Sequence, residues 1–249
     1  MKFFFFFLLL STAFLQADLV GYWAFDEGSG TAVADKSSYN NNGTLERAQA
    51  NTWTTGKWGN GLYFDGSTAA YVKILTSPSI QITNAISFSA WVYSTNPNRD
   101  APILAKEYGG NLSYWFGVYN GGFGTLLSDN GSGWNANYRG SGSVPANQWT
   151  LLTTTWDGAT IRNYQNGVLV GSTSYSDPSG INVSNAFLSI GINSNYDFTR
   201  FQGILDEVRI YNHALNTTEI ATLQVNPVPE PASLLLLCIG FLYFFKMKR

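Results

Sequence analysis

Short runs of alternating apolar and polar residues recur along this chain and constrain its fold more than any other feature. In residues 86–93, alternate side chains from Ile86 to Val92 share one face of an extended strand. Similar runs occupy residues 20–25, 70–74, 114–119, 149–156, 161–165, 168–172, 187–190 and 204–211. Turn-forming dipeptides lie between them, including Asp65-Gly66, Asp157-Gly158 and Asn166-Gly167. Many short strands joined by glycine-containing turns predict an all-β sandwich or barrel.

One short helix interrupts this pattern near the end of the chain. Asn216 is the predicted N-cap, and Glu219 follows three residues later as in a variant capping box. Ile220 and Leu223 supply apolar side chains, so we expect the helix to pack on the edge of the sandwich. Residues 225–228, with their prolines, are predicted to form a linker.

The composition excludes several classes of partner and site. Only 12% of the residues are charged, 16% are aromatic, and the formal net charge is −2. This balance argues against nucleic acid or an anionic membrane surface as a partner. The single cysteine, Cys238, lies in an apolar C-terminal run, so the rest of the chain has neither a disulfide nor a thiol nucleophile. If the exported domain needs a cross-link for stability, a bound metal ion is the remaining candidate.

The C-terminal segment has three successive parts. The tripeptide Pro229-Glu230-Pro231 precedes the apolar run 232–245, and the chain closes on the basic residues 246–249. Because moving cations across a bilayer is costly, everything upstream of Pro229 is expected on the outer side. The run is shorter than the ~20 residues that span a bilayer, so a buried helix or a frayed tail is the alternative interpretation. Residues 234–237 and 241–245, however, leave no polar face for a surface helix.

This tripartite ending resembles the PEP-CTERM family of bacterial sorting tails. The resemblance implies that an exosortase-type membrane protease cleaves near Pro229, Glu230 and Pro231, in a cell that exports much surface polysaccharide. Membrane contact is then expected only through the C-terminal segment, before processing. The protein would be anchored transiently at the inner membrane and would then reach the cell surface or the extracellular space.

The N-terminus predicts export by a signal peptide. Lys2 precedes the apolar run 3–10, and the small or polar residues Ser11, Thr12 and Ala17 follow it. Cleavage is expected after Ala17. The predicted organisation is a signal peptide at 1–17, one domain at 18–224, and a linker with the sorting segment at 225–249. Removing both targeting segments leaves roughly 200 residues, which is enough for one all-β domain with a sizeable core.

The order of the motifs in the exported domain resembles the laminin G-like, concanavalin A-like jelly roll. The matching stretches are residues 21–30, 42–45, 61–66, 88–92, 156–167 and 201–215. The resemblance implies an all-β fold in which two antiparallel sheets form a jelly-roll sandwich. Lectins, enzymes and adhesive modules share this fold, so it does not determine the activity.

Asp206 is the acid that most suggests a metal site. Strand alternation places it on the same face as Ile204, Val208 and Ile210, where a carboxylate is buried and needs a cation or several hydrogen bonds. The family resemblance implies a structural calcium ion between the first and last strands. The predicted ligands are Asp26, Asn42, the Gly43 carbonyl and Asp206. In the alternative interpretation, Asp206 accepts backbone N–H groups and Asp26 lies in a turn.

The segment 128–139 is the candidate carbohydrate site, because it combines aromatic rings and amides in a predicted loop. The preferred ligand contacts are Trp134, Asn137, Tyr138 and Arg139, with Tyr108 and Asn111 nearby in sequence. In the alternative interpretation, the loop binds nothing and Trp134 packs back on the sheet.

No catalytic site is predicted. Glycoside hydrolysis needs two carboxylates facing each other ~5–9.5 Å apart. Asp206 and Glu207 are adjacent and should point to opposite faces unless the strand bulges. His213 is the only histidine, so neither a Ser-His-Asp triad nor a zinc cluster is indicated.

These features together predict an exported surface or extracellular-matrix protein that binds carbohydrate or mediates adhesion without catalysis. Its expected partners are the exosortase-type protease and extracellular polysaccharide or a matrix protein. Two alternatives remain open. One is a structural or protein-adhesion jelly roll without sugar specificity, and the other is a glycoside hydrolase with an unrecognised site.

Overall fold

The computed structural model describes residues 18–49, 52–67, 70–193 and 199–225. The predicted signal peptide and the predicted sorting segment beyond residue 225 lie outside these described residues. None of the helices within the described ranges is long and apolar enough to cross a membrane.

The described residues form short strands, one 3-10 helix and one α-helix. The strands are β1 Leu19–Trp23, β2 Ala32–Val33, β3 Gly43–Glu46, β4 Trp53–Thr55, β5 Asn60–Asp65, β6 Tyr71–Ile74, β7 Ile86–Ser94, β8 Ala101–Tyr108, β9 Asn111–Tyr119, β10 Gly122–Leu127, β11 Ala136–Ser141, β12 Trp149–Trp156, β13 Thr160–Gln165, β14 Val168–Ser174, β15 Leu188–Ile190 and β16 Gln202–Tyr211. The 3-10 helix is Pro78–Ile80, and helix α1 is Thr217–Thr222.

The strands form two sheets that pack face to face. Sheet A has the order β14-β13-β12-β7-β16-β5-β4, with β1 also paired to β16. Sheet B has the order β11-β10-β9-β8-β15-β6-β3-β2. Neighbouring strands run antiparallel throughout the described sheets. The predicted two-sheet antiparallel jelly-roll sandwich is confirmed.

The main core lies between the sheets. Ile86, Phe88, Ala90 and Val92, the alternating set predicted from the sequence, all belong to it. Phe88 stacks on Phe116 of the facing sheet with ring centroids 5.6 Å apart. Burying such rings removes a large apolar area from water, so these inward faces stabilise the sandwich.

The strand predictions succeed where alternation is strong. Six of the seven missed strands are very short or contain glycine, and the seventh, β8, is buried on both faces and so shows no alternation. All nine predicted runs correspond to strands, and β12 has the predicted bounds. The strands missed by alternation are β2, β3, β4, β5, β8, β10 and β11. Strand β11 corrects the prediction that the whole segment 128–139 is a loop, because residues 136–139 belong to this strand.

The β13–β14 hairpin forms as its turn sequence predicts. Asn166 and Gly167 have φ angles of 49° and 77°, the left-handed pair that a two-residue hairpin turn needs. The hairpin places β14 at the edge of sheet A.

Helix α1 covers the outer face of sheet A. Its predicted capping box is confirmed, because Asn216 Oδ1 accepts the Thr218 and Glu219 amides and Glu219 Oε2 accepts the Asn216 amide. Apolar side chains of the helix and of the sheet form a second cluster: Trp91, Leu151, Tyr164, Tyr211, Leu215, Ile220 and Leu223. This outer cluster holds the C-terminal end of the described chain against the sheet.

Strand β16 changes partner at a β-bulge. Its first part pairs with β5 and its last part pairs with β1, and the register shifts between Asp206 and Arg209. Glu207 adopts a φ of 56° at this point. The bulge reverses the alternation, so Val208 faces the main core while Asp206 lies opposite Trp91 of the outer cluster. The prediction that Asp206 shares a face with Val208 and Ile210 is therefore wrong.

Candidate functional site

The β16 bulge positions a buried carboxylate against a loop. The side chain of Asp206 is fully buried, and its Oδ2 accepts the Lys57 and Trp58 amides at 2.8 and 3.0 Å. A Cβ on Gly56 would lie 2.6 Å from this oxygen and 2.3 Å from the Asn60 carbonyl oxygen. The loop between β4 and β5 therefore needs a glycine to approach the carboxylate.

The other oxygen of Asp206 has no hydrogen-bond partner among the described residues. Burial raises the pKa of Asp206 to about 7, and the nearby Glu207 charge adds to the rise, although the two amides oppose it. The carboxyl group therefore keeps a proton to a much higher pH than an ordinary aspartate and changes its charge near neutral pH.

Glu207 and Arg209 form a buried ion pair beside Asp206. Glu207 accepts hydrogen bonds from Tyr22 Oη at 2.9 and 3.1 Å and from an Arg209 guanidinium nitrogen. The guanidinium also lies over the Tyr22 ring, 4.3 Å from its centroid. Burial raises the pKa of Glu207, while Arg209 and Tyr22 oppose the rise. This arrangement joins the first and last strands of the domain.

The predicted calcium ligands fall into two separate hydrogen-bonding groups. Asp26 Oδ1 accepts the Asn60 amide at 3.1 Å, so Asp26 and Asp206 both hold the 56–60 loop. Asn42 Oδ1 instead accepts the Asp35 amide at 2.9 Å, and Gly43 belongs to β3 of sheet B.

Within the described part of the chain, no group of three or more His, Cys, Asp or Glu side chains is arranged to hold a metal ion. Asp206 accepts two backbone N–H groups, as the alternative interpretation without a metal ion expects. The calcium shell stays a prediction.

A continuous row of side chains crosses the outer face of sheet B. Residues directly opposite each other in neighbouring strands share a face, and this register links one residue from each strand. In sheet order from β2 to β11 they are Ala32, Thr44, Lys73, Ser189, Ala105, Trp115, Leu126 and Asn137.

One half of this face is covered by the β10–β11 loop. Trp134 packs against Ala105, Trp115 and Leu126. Arg139 lies over the Tyr119 ring at 4.1 Å from its centroid and pairs with Asp100 at 2.9 Å. The aromatic and cationic groups of this half therefore contact the protein itself.

The other half carries aromatic rings that reach solvent. Phe187, just before β15, lies between Tyr108 and Tyr71, with centroid distances of 5.2 and 6.3 Å. The Lys73 ammonium group lies 5.0 Å from the Phe187 centroid. Tyr108 is 56% exposed. We call Tyr71, Lys73, Tyr108 and Phe187 the aromatic platform.

The structure separates the six predicted ligand contacts. Trp134, Asn137 and Arg139 lie together on the covered half, where Asn137 Oδ1 accepts a hydrogen bond from Arg139 Nε. Tyr138 packs instead against the main core. The remaining two belong to the β8–β9 hairpin, where Tyr108 joins the aromatic platform and Asn111 lies directly opposite it.

Sequence reasoning missed the other members of the platform. The alternation in residues 70–74 does place Tyr71 and Lys73 on the face opposite Val72 and Ile74. Their proximity to Phe187, however, depends on the pairing of β6 with β15, which no local pattern indicates.

The sequence profile of the concanavalin A-like lectin/glucanases superfamily matches residues 64–221. The chain belongs to this superfamily. The match extends from the end of β5 into helix α1, so it includes the aromatic platform and the β16 bulge. A second profile, the PEP-CTERM protein-sorting motif, matches residues 227–249. A search of curated proteins found no significant match.

Solved structures with the superfamily fold resemble the chain at low sequence identity. Domain 4 of AbnA, a GH43 extracellular arabinanase from Geobacillus stearothermophilus solved with arabinotriose, shares 23% identity with a TM-score of 0.61. That match covers 84% of this chain and 99% of the other.

Two toxin binding domains also match. The binding domain of Paraclostridial Mosquitocidal Protein 1 shares 18% identity over 83% of this chain and 52% of the other, with a TM-score of 0.62. The receptor binding domain of botulinum neurotoxin mosaic serotype C/D shares 18% identity over 83% and 50%, with a TM-score of 0.64. The chain spans about half the length of these toxin domains. At these identities the likeness shows the fold alone.

Proposed function

We propose that this concanavalin A-like domain is an exported, non-catalytic module that binds extracellular polysaccharide through its aromatic platform. The observation that carries the proposal is the set of adjacent, partly exposed rings of Tyr71, Phe187 and Tyr108 on the outer face of sheet B. Aromatic side chains offer large, flat apolar faces, and the apolar faces of sugar rings stack on such surfaces.

Polar groups around the platform supply the hydrogen bonds that a sugar also needs. Asn111 lies opposite Tyr108, Lys73 lies over Phe187, and Glu46 lies opposite Tyr71 in the sheet. Together they offer amide, ammonium and carboxylate groups beside the rings. This mixture suits the hydroxyl groups of a polysaccharide chain lying along the face.

The buried acids favour binding over hydrolysis. Asp206 and Glu207 are 0% and 2% exposed, and both are engaged by groups of the protein itself. A substrate glycosidic oxygen would have no route to either carboxyl group. The proposal therefore assigns these acids to the stability of the fold.

The similarity to a known arabinanase domain adds support for a sugar ligand. Domain 4 of AbnA was solved with arabinotriose, and it matches this chain over 99% of its own length.

The PEP-CTERM motif supports export and sorting at the membrane before processing. We propose that an exosortase-type protease releases the domain near Pro229 to Pro231, which places it at the cell surface or in the extracellular matrix. The domain would there bind or organise the polysaccharide that the cell exports.

The proposal is tested by binding of the exported chain, beginning at Asp18, to a panel of neutral and acidic polysaccharides. Tyr108→Ala is expected to weaken binding about tenfold, equivalent to ~1.4 kcal/mol, because an exposed stacking ring is lost. Trp134→Ala serves as the matched control on the covered half. Loss of binding only in Trp134→Ala would move the site to the β10–β11 loop. Absence of binding to every polysaccharide would favour protein adhesion without sugar specificity.

A further inference from the structure

A pocket opens at the end of the sandwich where strand β7 begins. It encloses about 260 Å³. Pockets for drug-sized ligands span ~300–1,000 Å³, so this one suits a single small ring. None of the described residues that line it is charged. We call it the end pocket, and it lies between Val20 of β1, Tyr39, Pro78, residues 81–84 and Asn212.

The walls of the end pocket are held together by hydrogen bonds beneath its surface. Asn41 is buried, and its Nδ2 donates to the Val20 carbonyl at 2.6 Å and to Ser79 Oγ at 2.9 Å. The Ile181 amide donates to the Thr83 carbonyl at 2.8 Å. These bonds join β1, the 3-10 helix and the segment before β7. The pocket is therefore formed before a ligand arrives, which lowers the entropic cost of binding.

Polar groups of the end pocket are available to a ligand. Among the described residues, neither the Asn84 amide nor the Thr83 hydroxyl makes a side-chain hydrogen bond. Gln81 Nε2 makes one long hydrogen bond, of 3.4 Å, to Asn185 Oδ1, which leaves the Gln81 amide oxygen free. Amides and hydroxyls supply both donors and acceptors, as the recognition of sugar hydroxyl groups requires.

Apolar groups complete the lining. Val20 and Ile82 are almost fully buried and form the floor, while the Tyr39 ring is 39% exposed and Pro78 lies beside it in the lining. A sugar ring has C–H groups on its faces and hydroxyls around its edge, so it contacts apolar and polar groups at once. Binding sites for small ligands typically combine an apolar lining with a few polar groups in this way.

A carboxylate beside the end pocket disfavours an acidic ligand. Asn212 Nδ2 donates to Asp18 Oδ2 at 3.3 Å, which places this carboxylate at the rim. A second carboxylate, such as that of a uronic acid, would be repelled by it. The lining and the rim together therefore suit a neutral sugar.

We propose that the end pocket is a second sugar-binding site, which takes one neutral ring of the extracellular polysaccharide. This inference deepens the proposed function and rests on it for the polysaccharide as ligand. The end pocket and the aromatic platform are nevertheless separate sites, and each can be tested without the other.

The two sites lie at the same end of the domain. Residues 75–77 alone join β6, which carries Tyr71 and Lys73, to the 3-10 helix beside the end pocket. Asn185, which accepts the hydrogen bond from Gln81, precedes Phe187 of the platform by two residues. One polysaccharide chain can therefore contact both sites. Linking two weak contacts in this way raises the overall affinity without any further interaction.

The experiment follows side-chain amide resonances, which report on the two sites separately. The isotope-labelled chain from Asp18 to its C-terminus is held in phosphocholine micelles and titrated with methyl glycosides of neutral hexoses and pentoses. Asn84 and Asn212 report on the end pocket, and Asn111 reports on the platform. Asn98 is the matched control, because it is exposed in the turn after β7, at the opposite end of that strand.

Saturable shifts of the Asn84 and Asn212 resonances are expected with at least one neutral glycoside, and not of the Asn98 resonance. The double variant Gln81→Ala/Asn84→Ala should raise the Kd measured at Asn212 about tenfold, because two hydrogen bonds to the sugar are lost. Asn98→Ala should leave this Kd unchanged. Methyl glucuronide should bind more weakly than methyl glucoside.

The outcomes separate this inference from the proposed function. Shifts confined to Asn111 would overturn the end pocket and support the platform, whereas shifts at Asn84 and Asn212 alone would do the reverse. Absence of saturable shifts at every reporter would overturn the inference. A Kd unchanged in the double variant would also overturn it, and glucuronide binding as tight as glucoside binding would contradict the neutral ligand.

Discussion

The ring centroids of Tyr108 and Phe187 lie 5.2 Å apart on the outer face of sheet B, although the two residues are distant in the sequence. Pairing of β15 with β8, in which Leu188 lies opposite Lys106, brings them together. The contact leaves Tyr108 largely exposed, so the pair presents a ring surface to solvent without weakening the core.

Replacing Phe187 separates the role of the platform from that of Tyr108 alone. We expect Phe187→Ala to weaken polysaccharide binding at least as much as Tyr108→Ala, because Phe187 contacts both neighbouring tyrosines. Isothermal titration with the best polysaccharide of the panel measures the loss. Phe187→Tyr is the conservative control and should retain binding. Unchanged affinity in Phe187→Ala would remove the platform from the site.

Asp206 should make the stability of the domain depend on pH. Its pKa rises from 3.8 to about 7 in the folded protein, so between these values the folded state binds a proton that the unfolded state has released. The raised pKa of Asp206 therefore contributes to stability fully below pH 4. As the pH rises through about 7 this contribution is lost, and the free energy of unfolding falls by up to ~4 kcal/mol.

Asp206→Asn is the variant that isolates this effect. An asparagine oxygen can still accept the Lys57 and Trp58 amides, but it does not titrate. Chemical unfolding at pH 5 and pH 8 should show wild type losing stability relative to Asp206→Asn at the higher pH. A constant difference between the two proteins would show that Asp206 titrates normally.

Calcium binding, expected from the family resemblance, is tested by thermal unfolding with calcium and with chelator. A ligand that binds only the native state raises the melting temperature by mass action. The rise should vanish in Asp206→Ala and in Asp26→Ala if these carboxylates are ligands. An unresponsive wild type would contradict the predicted shell and leave the Lys57 and Trp58 amides as the stabilising partners of Asp206.

Removing one member of the Glu207–Arg209 pair should destabilise the domain strongly. Arg209→Ala leaves a buried carboxylate without its cation, at a cost of about 3–5 kcal/mol in the free energy of unfolding. The double variant Glu207→Gln/Arg209→Met should recover part of this loss, because neither charge is then buried alone. Urea unfolding measures both. A single variant as stable as wild type would contradict the importance of the pair.

The sequence predicted the local parts of the fold because those parts depend on nearby residues. Strand β12, the Asn166-Gly167 turn and the capping box of helix α1 each follow from side chains within a few positions of one another. Short strands such as β2 and β4 escaped prediction, because a run of two or three residues carries too little alternation to be recognised.

The candidate site could be predicted only in part. Residue type and nearness in the chain point to Tyr108 and Asn111, of which Tyr108 belongs to the aromatic platform and Asn111 lies opposite it. The same reasoning points to Trp134, but its ring packs on Ala105 and Trp115. Residue type shows that a tryptophan can bind a sugar, whereas the surrounding loop decides whether its ring is available.

By itself, the sequence determined the all-β class, the order of the motifs and the sorting ending, because alternation, turn residues and targeting signals are local properties. Tertiary structure alone decided which faces meet. The bulge at Glu207 turned Asp206 toward the outer cluster, and long-range strand pairing assembled the aromatic platform. Both depend on the register between strands far apart in the chain, which is set by packing of the whole sandwich.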